Sequence, residues 1–199
     1  MKSVLRKSGG FVMAILMGAL ICSISASAVG PVLYTTLGPN GQYDPYSGYV
    51  VGGSNHQVMA APFTFSAGAT VGDVVLALGH LGGTSNNPVD VYIESDNGGL
   101  PGTIIASLTQ VGTIPPWLGN AWSLVTFNCS GVQCTLGAGS YWLVVFEPDA
   151  YSGQGWNYAY RDQMGNMAAK QNGGPEGGFH LFWGPEGAFR IDGASGTTP

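Results

Sequence analysis

Charged side chains are few. Six Lys and Arg and eleven Asp and Glu make up 9% of 199 residues, where an ordinary globular protein carries about 25%. That scarcity excludes a coiled coil, whose apolar seam is flanked by Glu and Lys. Cations are scarcer still. Lys2, Arg6 and Lys7 stand at the extreme N-terminus, and the rest of the chain holds only Arg161, Lys170 and Arg190 against all eleven acids. Such a surface cannot neutralise a phosphate backbone, which excludes nucleic acid as a partner. It is equally unsuited to an anionic membrane. There are three cysteines and no paired CxxC motif. The three histidines, His56, His80 and His180, follow no HxH or HExxH spacing, so no metal centre is expected. No G-x-S-x-G elbow occurs. Past residue 28, no apolar stretch approaches the roughly 20 residues that a membrane span needs.

One apolar run does exist, FVMAILMGALIC at 11–22. It follows the three N-terminal cations and precedes the small-x-small triplet Ala26-Ser27-Ala28. This is the layout of a secretory signal peptide over residues 1–28, cleaved after Ala28. The run is too short for an anchor and decays into Ser23, Ser25 and Ser27. Ile21 before Cys22 argues against a lipoprotein signal. An exported chain meets an oxidising compartment, so Cys129 and Cys134 in NCSGVQC (128–134) are expected to form a disulfide. Gly131 lets the intervening chain turn back. So short a loop stabilises by about 2 kcal/mol in the chain-entropy model.

What remains is rich in glycine (33) and proline (12). Apolar runs are short and bounded by Gly, Pro, Asn and Ser, the pattern of strands. Residues 74–78 (VVLAL) are apolar on both faces. Residues 88–94 alternate, with Val89, Val91 and Ile93 on one face and Asp90, Tyr92 and Glu94 on the other. Further strands are expected over 32–36, 59–65, 103–108, 122–127, 141–146 and 188–192. Pro62 marks 59–65 as an edge strand or a bulge. Seven to ten such strands predict an all-β fold, a single-domain antiparallel β-sandwich of jelly-roll type over 29–192. An up-and-down barrel is the alternative. Residues 166–185 carry the weakest pattern, with a loop at 172–178. Residues 193–199 form a flexible tail. Low charge and little Lys leave the sheet edges open to self-association.

Candidate chemistry is sparse. Glu94, Asp96 and Asn97 offer oxygen ligands for a calcium loop, although Asn97-Gly98 and Pro101-Gly102 read more simply as turn residues of a hairpin. Trp156, Tyr158 and Tyr160 share one face if residues 155–160 are extended. An exposed row of that kind stacks on sugar rings, with Tyr151 and Trp117 as additions and Asn157, Asp162 and Gln163 as polar neighbours. Core packing is the competing reading of the same row. His80 should share a face with Val74, Leu76 and Leu78. A glycan hydrolase would need two facing carboxylates, and Glu147, Asp149, Glu176 and Glu186 are available without any motif to pair them. No cofactor is called for.

Five blocks carry a family likeness. MAAPFTF (59–65) with VGDVVLAL (71–78), VYIESDNGGLPG (91–102), LGAGSYWLV (136–144), GWN (155–157) and GAFRI (187–191) occur in this order. Together they resemble the choice-of-anchor R domain of bacterial exported proteins, over most of residues 32–192. The resemblance implies an exported or surface protein. It implies no activity, because the family has none established. Members often end in a sorting signal of the PEP-CTERM type. The end of this sequence, IDGASGTTP (191–199), shows neither its apolar span nor its basic cluster, so release or non-covalent retention is expected. The leading expectation is an extracellular or cell-surface protein with a structural or interaction role and no catalysis. Carbohydrate binding, to an extracellular glycan or envelope component, is the alternative. A secreted hydrolase is the weaker one.

Overall fold

The computed structural model describes residues 30–82, 89–117, 123–171 and 177–196. The expected signal peptide, Trp122, Glu176, most of the 172–178 loop and the end of the tail lie outside them. Among the described residues the regular structure is thirteen strands and three short 3-10 turns, with no α-helix. No helix among them is long and apolar enough to cross a membrane. The fold is all-β, and the strands form one antiparallel sheet that curls until its two halves face each other.

The first half is built on β4 (Ala69–Gly82), the longest strand. One edge of β4 pairs with β13 (Phe189–Gly193) and then with β10 (Gly153–Tyr158). The other edge pairs with β7 (Leu124–Asn128), after which His80 bridges Pro116. Beyond β13 lies β1 (Val32–Thr35), and beyond β10 lies β2 (Asp44–Gly52). A two-residue strand, β8 (Thr135–Leu136), pairs with the start of β4.

The second half runs in the order β6 (Pro101–Val111), β5 (Asp90–Asp96), β9 (Gly139–Phe146), β3 (Val58–Phe65), β11 (Met164–Lys170) and β12 (His180–Pro185). Strand β6 belongs to both halves. Its residues up to Leu108 pair with β5, and Thr109, Gln110 and Val111 pair with β7. Two register shifts in the β5–β6 ladder supply the extra twist that bends the sheet there.

The core fills the space between the halves. Phe63 and Met167 of the second half meet Phe189 and Trp156 of the first, all within 2% of full burial. The Phe63 and Phe189 rings sit 6.5 Å apart, and Tyr34 stacks on Phe189 at 5.3 Å. Burying each such side chain contributes about 1.5–3 kcal/mol. Two smaller clusters lie on the outer faces. Phe179 covers Trp142, Val144 and Ala168; Leu37 and Tyr43 cover Ala77 and Ala188. That second cover explains why residues 74–78 are apolar on both sides.

Tyr49 helps to draw the open side of the curl together. Tyr49 of β2 packs edge-on to Phe182 of β12 at 5.6 Å and donates its hydroxyl to the Pro185 carbonyl at 2.7 Å. The end strands β1 and β12 do not pair with each other, so the sheet is a half-barrel rather than a closed one.

Three expectations are corrected, the first two in part. Strand β3 is internal over Val58–Ala60, where it pairs with both β9 and β11, and has only β9 beside it from Ala61 to Phe65. Pro62 has no N–H to continue the β11 ladder. Within 166–185, residues 166–170 and 180–185 are regular: they belong to β11 and β12, whose ladder runs from Met164 and Pro185 to Ala169 and His180. The third correction is the turn before Pro101. Asn97 N–H donates to the Leu100 carbonyl at 2.8 Å, and Gly98 and Gly99, at φ 64° and 85°, are its central pair. The turn therefore sits one residue later than Asn97-Gly98.

The disulfide forms as expected. Cys129 and Cys134 are joined with Cα atoms 5.9 Å apart, and Gly131 turns the chain between them at φ 95°.

Candidate binding face

The expected aromatic row does not form a surface. Trp156 is fully buried, and its indole N–H donates to the Ala188 carbonyl at 3.1 Å. Strand alternation aims it inward with Leu78, its partner in register. No ring can stack on it, which corrects its place in the candidate site. The register shifts between Asn157 and Tyr158. Tyr158 is then half-buried against Tyr49, 4.8 Å away. Tyr160 has left the strand for a 3-10 turn, where Arg161 takes φ 57° and lies over the Tyr160 ring. The three aromatics thus have three separate settings. Asn157 is also engaged, donating from Nδ2 to the Asp44 carbonyl.

Trp117 lies across a glycine floor. Gly79 and Gly155 are partners in register, and a Cβ on either would meet the Trp117 ring, at 2.9 and 2.3 Å. The ring fills the space that two side chains would occupy, so it is a cover for β4 and β10. Tyr151 stands 80% exposed on the loop after β9.

Trp183 is a large aromatic platform on the surface, and the sequence reading missed it. It is 67% exposed at the middle of β12. Phe182 points inward to Tyr49, so alternation turns Trp183 and Leu181 outward. Asn166 of β11 is its exposed partner in register. Met164 and Leu181 flank the pair, each close to half exposed. Further along the same outer face stand Thr64 and Ser140, exposed and 3.3 Å apart through their hydroxyls. HLFWGP (180–185) does not read as a strand by itself, and even as a strand its period fixes only that Phe182 and Trp183 face opposite ways and leaves open which one is inside.

The calcium candidates are already engaged. Asp96 accepts the Trp142 indole N–H at 2.8 Å and the Gly99 N–H at 3.1 Å. Glu94 stands on the face that its alternation implied, in register with Trp142, but that face is covered there and Glu94 is fully buried. Asn97 is part of the turn. Among the described residues no group of three or more His, Cys, Asp or Glu is placed to hold a metal ion.

The carboxylates fall into separate settings. Glu147, fully buried at the end of β9, accepts from the Asp149 N–H at 3.0 Å and from Gln154 Nε2 at 3.1 Å. Burial pushes its carboxyl above the ordinary range, and the charges of Asp149 and Asp90 add to the rise. Glu186 is also raised by burial, against a bond from Gln163 Nε2 at 2.8 Å. Glu147 packs against Gly52, whose partner is Gly153 at the start of β10. The Glu186 carbonyl binds Ala159, just past the other end of β10. The two acids therefore do not face each other. His80 does share the inward face of β4, beside its register partner Gln154. Among the described residues, His80 Nδ1 and Gln154 Oε1 are buried without a hydrogen-bond partner.

Comparison of the chain with family models, with curated proteins and with solved structures returns no match.

Proposed function

We propose that this chain is an exported protein that acts by binding, at the cell surface or beyond it, with the curled sheet as a rigid scaffold. The observation that carries the binding role is the open face around Trp183. Trp183, Leu181 and Met164 stand exposed together on this face, and a shared exposed apolar patch marks an interaction site. Export is supported by the cation–apolar–small pattern of residues 1–28 and by the Cys129–Cys134 bond, which persists in oxidising compartments. The likeness to choice-of-anchor R domains points the same way. Glu147 and Glu186, set past opposite ends of β10, do not supply the pair of facing carboxyl groups that a glycan hydrolase needs.

The test is expression of the whole chain from its own start in a bacterium with a periplasm, followed by fractionation, N-terminal sequencing and mass measurement. The expected product begins at Val29, lies outside the cytosol and gains two hydrogens on reduction. Unprocessed protein confined to the cytosol with free thiols overturns the reading.

A further inference from the structure

Taking the binding role above as its premise, we infer that the outer face of the β11–β12 ribbon is a stacking site for an uncharged oligosaccharide, with the Trp183 indole as its floor. Three observations select that ligand. An indole offers a flat, electron-rich face on which the C–H face of a pyranose lies. Directly across the ribbon, Asn166 sets an amide beside the ring. A hydroxyl-rich ligand uses the donors and acceptor of that amide, whereas an apolar partner would strip its water and leave it unpaired. Further along the face, Thr64 and Ser140 present more hydroxyls. Strands lie about 4.8 Å apart, so these groups are spread over the length of several sugar units.

Charge excludes the anionic alternatives. Every cation of the described residues is committed. The Arg190 guanidinium binds Asp192, Lys170 donates to the Gly177 carbonyl and covers Phe179, and Arg161 lies over Tyr160. None is left on this face to receive a sulfate, phosphate or uronate. The platform is also fixed before any ligand arrives. On the inner side of the same ribbon, Phe182 packs against Tyr49 and Pro185 accepts its hydroxyl. Little ordering then remains to oppose binding.

The experiment uses the exported chain with a panel of neutral polysaccharides (cellulose, chitin, xylan, mannan and β-1,3-glucan) and one anionic control, polygalacturonate. Co-sedimentation measures retention on the insoluble members, and tryptophan fluorescence follows titration with soluble oligosaccharides. Binding to at least one neutral glycan is expected, with a blue shift of emission. Trp183→Ala should weaken it at least tenfold, Trp183→Phe less, and Asn166→Ala severalfold. The circular dichroism and melting of all three should match the parent, because both side chains are exposed. Failure on every neutral glycan, retention unchanged in Trp183→Ala, or preference for polygalacturonate overturns the inference. So does a concentration-dependent dimer that Trp183→Ala dissolves, since the face would then belong to a second copy. N-terminal processing is scored separately, so a negative glycan result on a processed, exported chain leaves the export reading intact.

Discussion

At the scale of single residues, the acids of this protein depart from the usual pattern. Glu147, Glu186 and Asp73 all have carboxyls raised above their ordinary values, chiefly by burial. A raised carboxyl favours the protonated folded state. Its contribution is full below the unfolded value and is lost as pH climbs through the folded one. Stability should therefore rise as pH falls from 7 toward about 5, above the ordinary carboxylate range of about 4. Urea midpoints across that window check the sign, and Glu147→Gln should flatten the slope. Arg190 holds a buried acid by a direct ion pair. It grips Asp192 through three hydrogen bonds of 2.8–3.0 Å, and Asp192 is 1% exposed and paired in register with Asp73. Arg190→Leu strands that carboxylate beside another, at a cost of about 3 kcal/mol. Adding Asp73→Asn should recover part of that deficit at neutral pH.

At the scale of elements, glycine decides what is possible. Trp117 rests on Gly79 and Gly155, and its own N–H donates to the His80 carbonyl at 2.8 Å. Gly155→Ala drives a methyl into the ring, and such overpacking costs about 1–3 kcal/mol. A lowered melting midpoint with altered near-ultraviolet dichroism is the expected result; an unchanged spectrum would show that the ring has room to move. The same glycines explain which strands were legible. Strands β5 and β13 announce themselves by clean alternation, Val91 and Ile93 in one and Phe189 and Ile191 in the other. Strands β2, β11 and β12 do not. Gly48, Pro45, Gly165 and Gly184 carry little intrinsic strand preference, and these segments become strands because neighbours pair with them. The candidate site was less legible still. The period of a strand names two faces, and only the assembled halves decide that Trp156 goes inside and Trp183 stays out.

At the scale of the whole molecule, the curl has one side with a continuous ladder and one side held by a few backbone bonds past the ends of β10 and β12 and by side chains. Through β6 the two halves share a backbone ladder. Opposite it, β2 and β12 meet through Tyr49, with Tyr158 and Phe182 packed around its ring. Burial raises the Tyr49 hydroxyl well above the usual phenol range, with Tyr158 adding to the rise, so the group remains a neutral donor to Pro185 throughout the working range. Tyr49→Phe keeps the ring packing and removes that bond, a loss of about 0.5–1.5 kcal/mol. The effect should be local before it is global. Amide exchange should quicken in β11 and β12 and stay unchanged in β4, β9 and β3, where the ladders are flanked on both sides. Tyr49→Ala removes the packing as well and should lower the melting point of the entire chain. Uniform acceleration across all strands in Tyr49→Phe would mean that the two halves open as one unit, and that this tyrosine is no separate clasp.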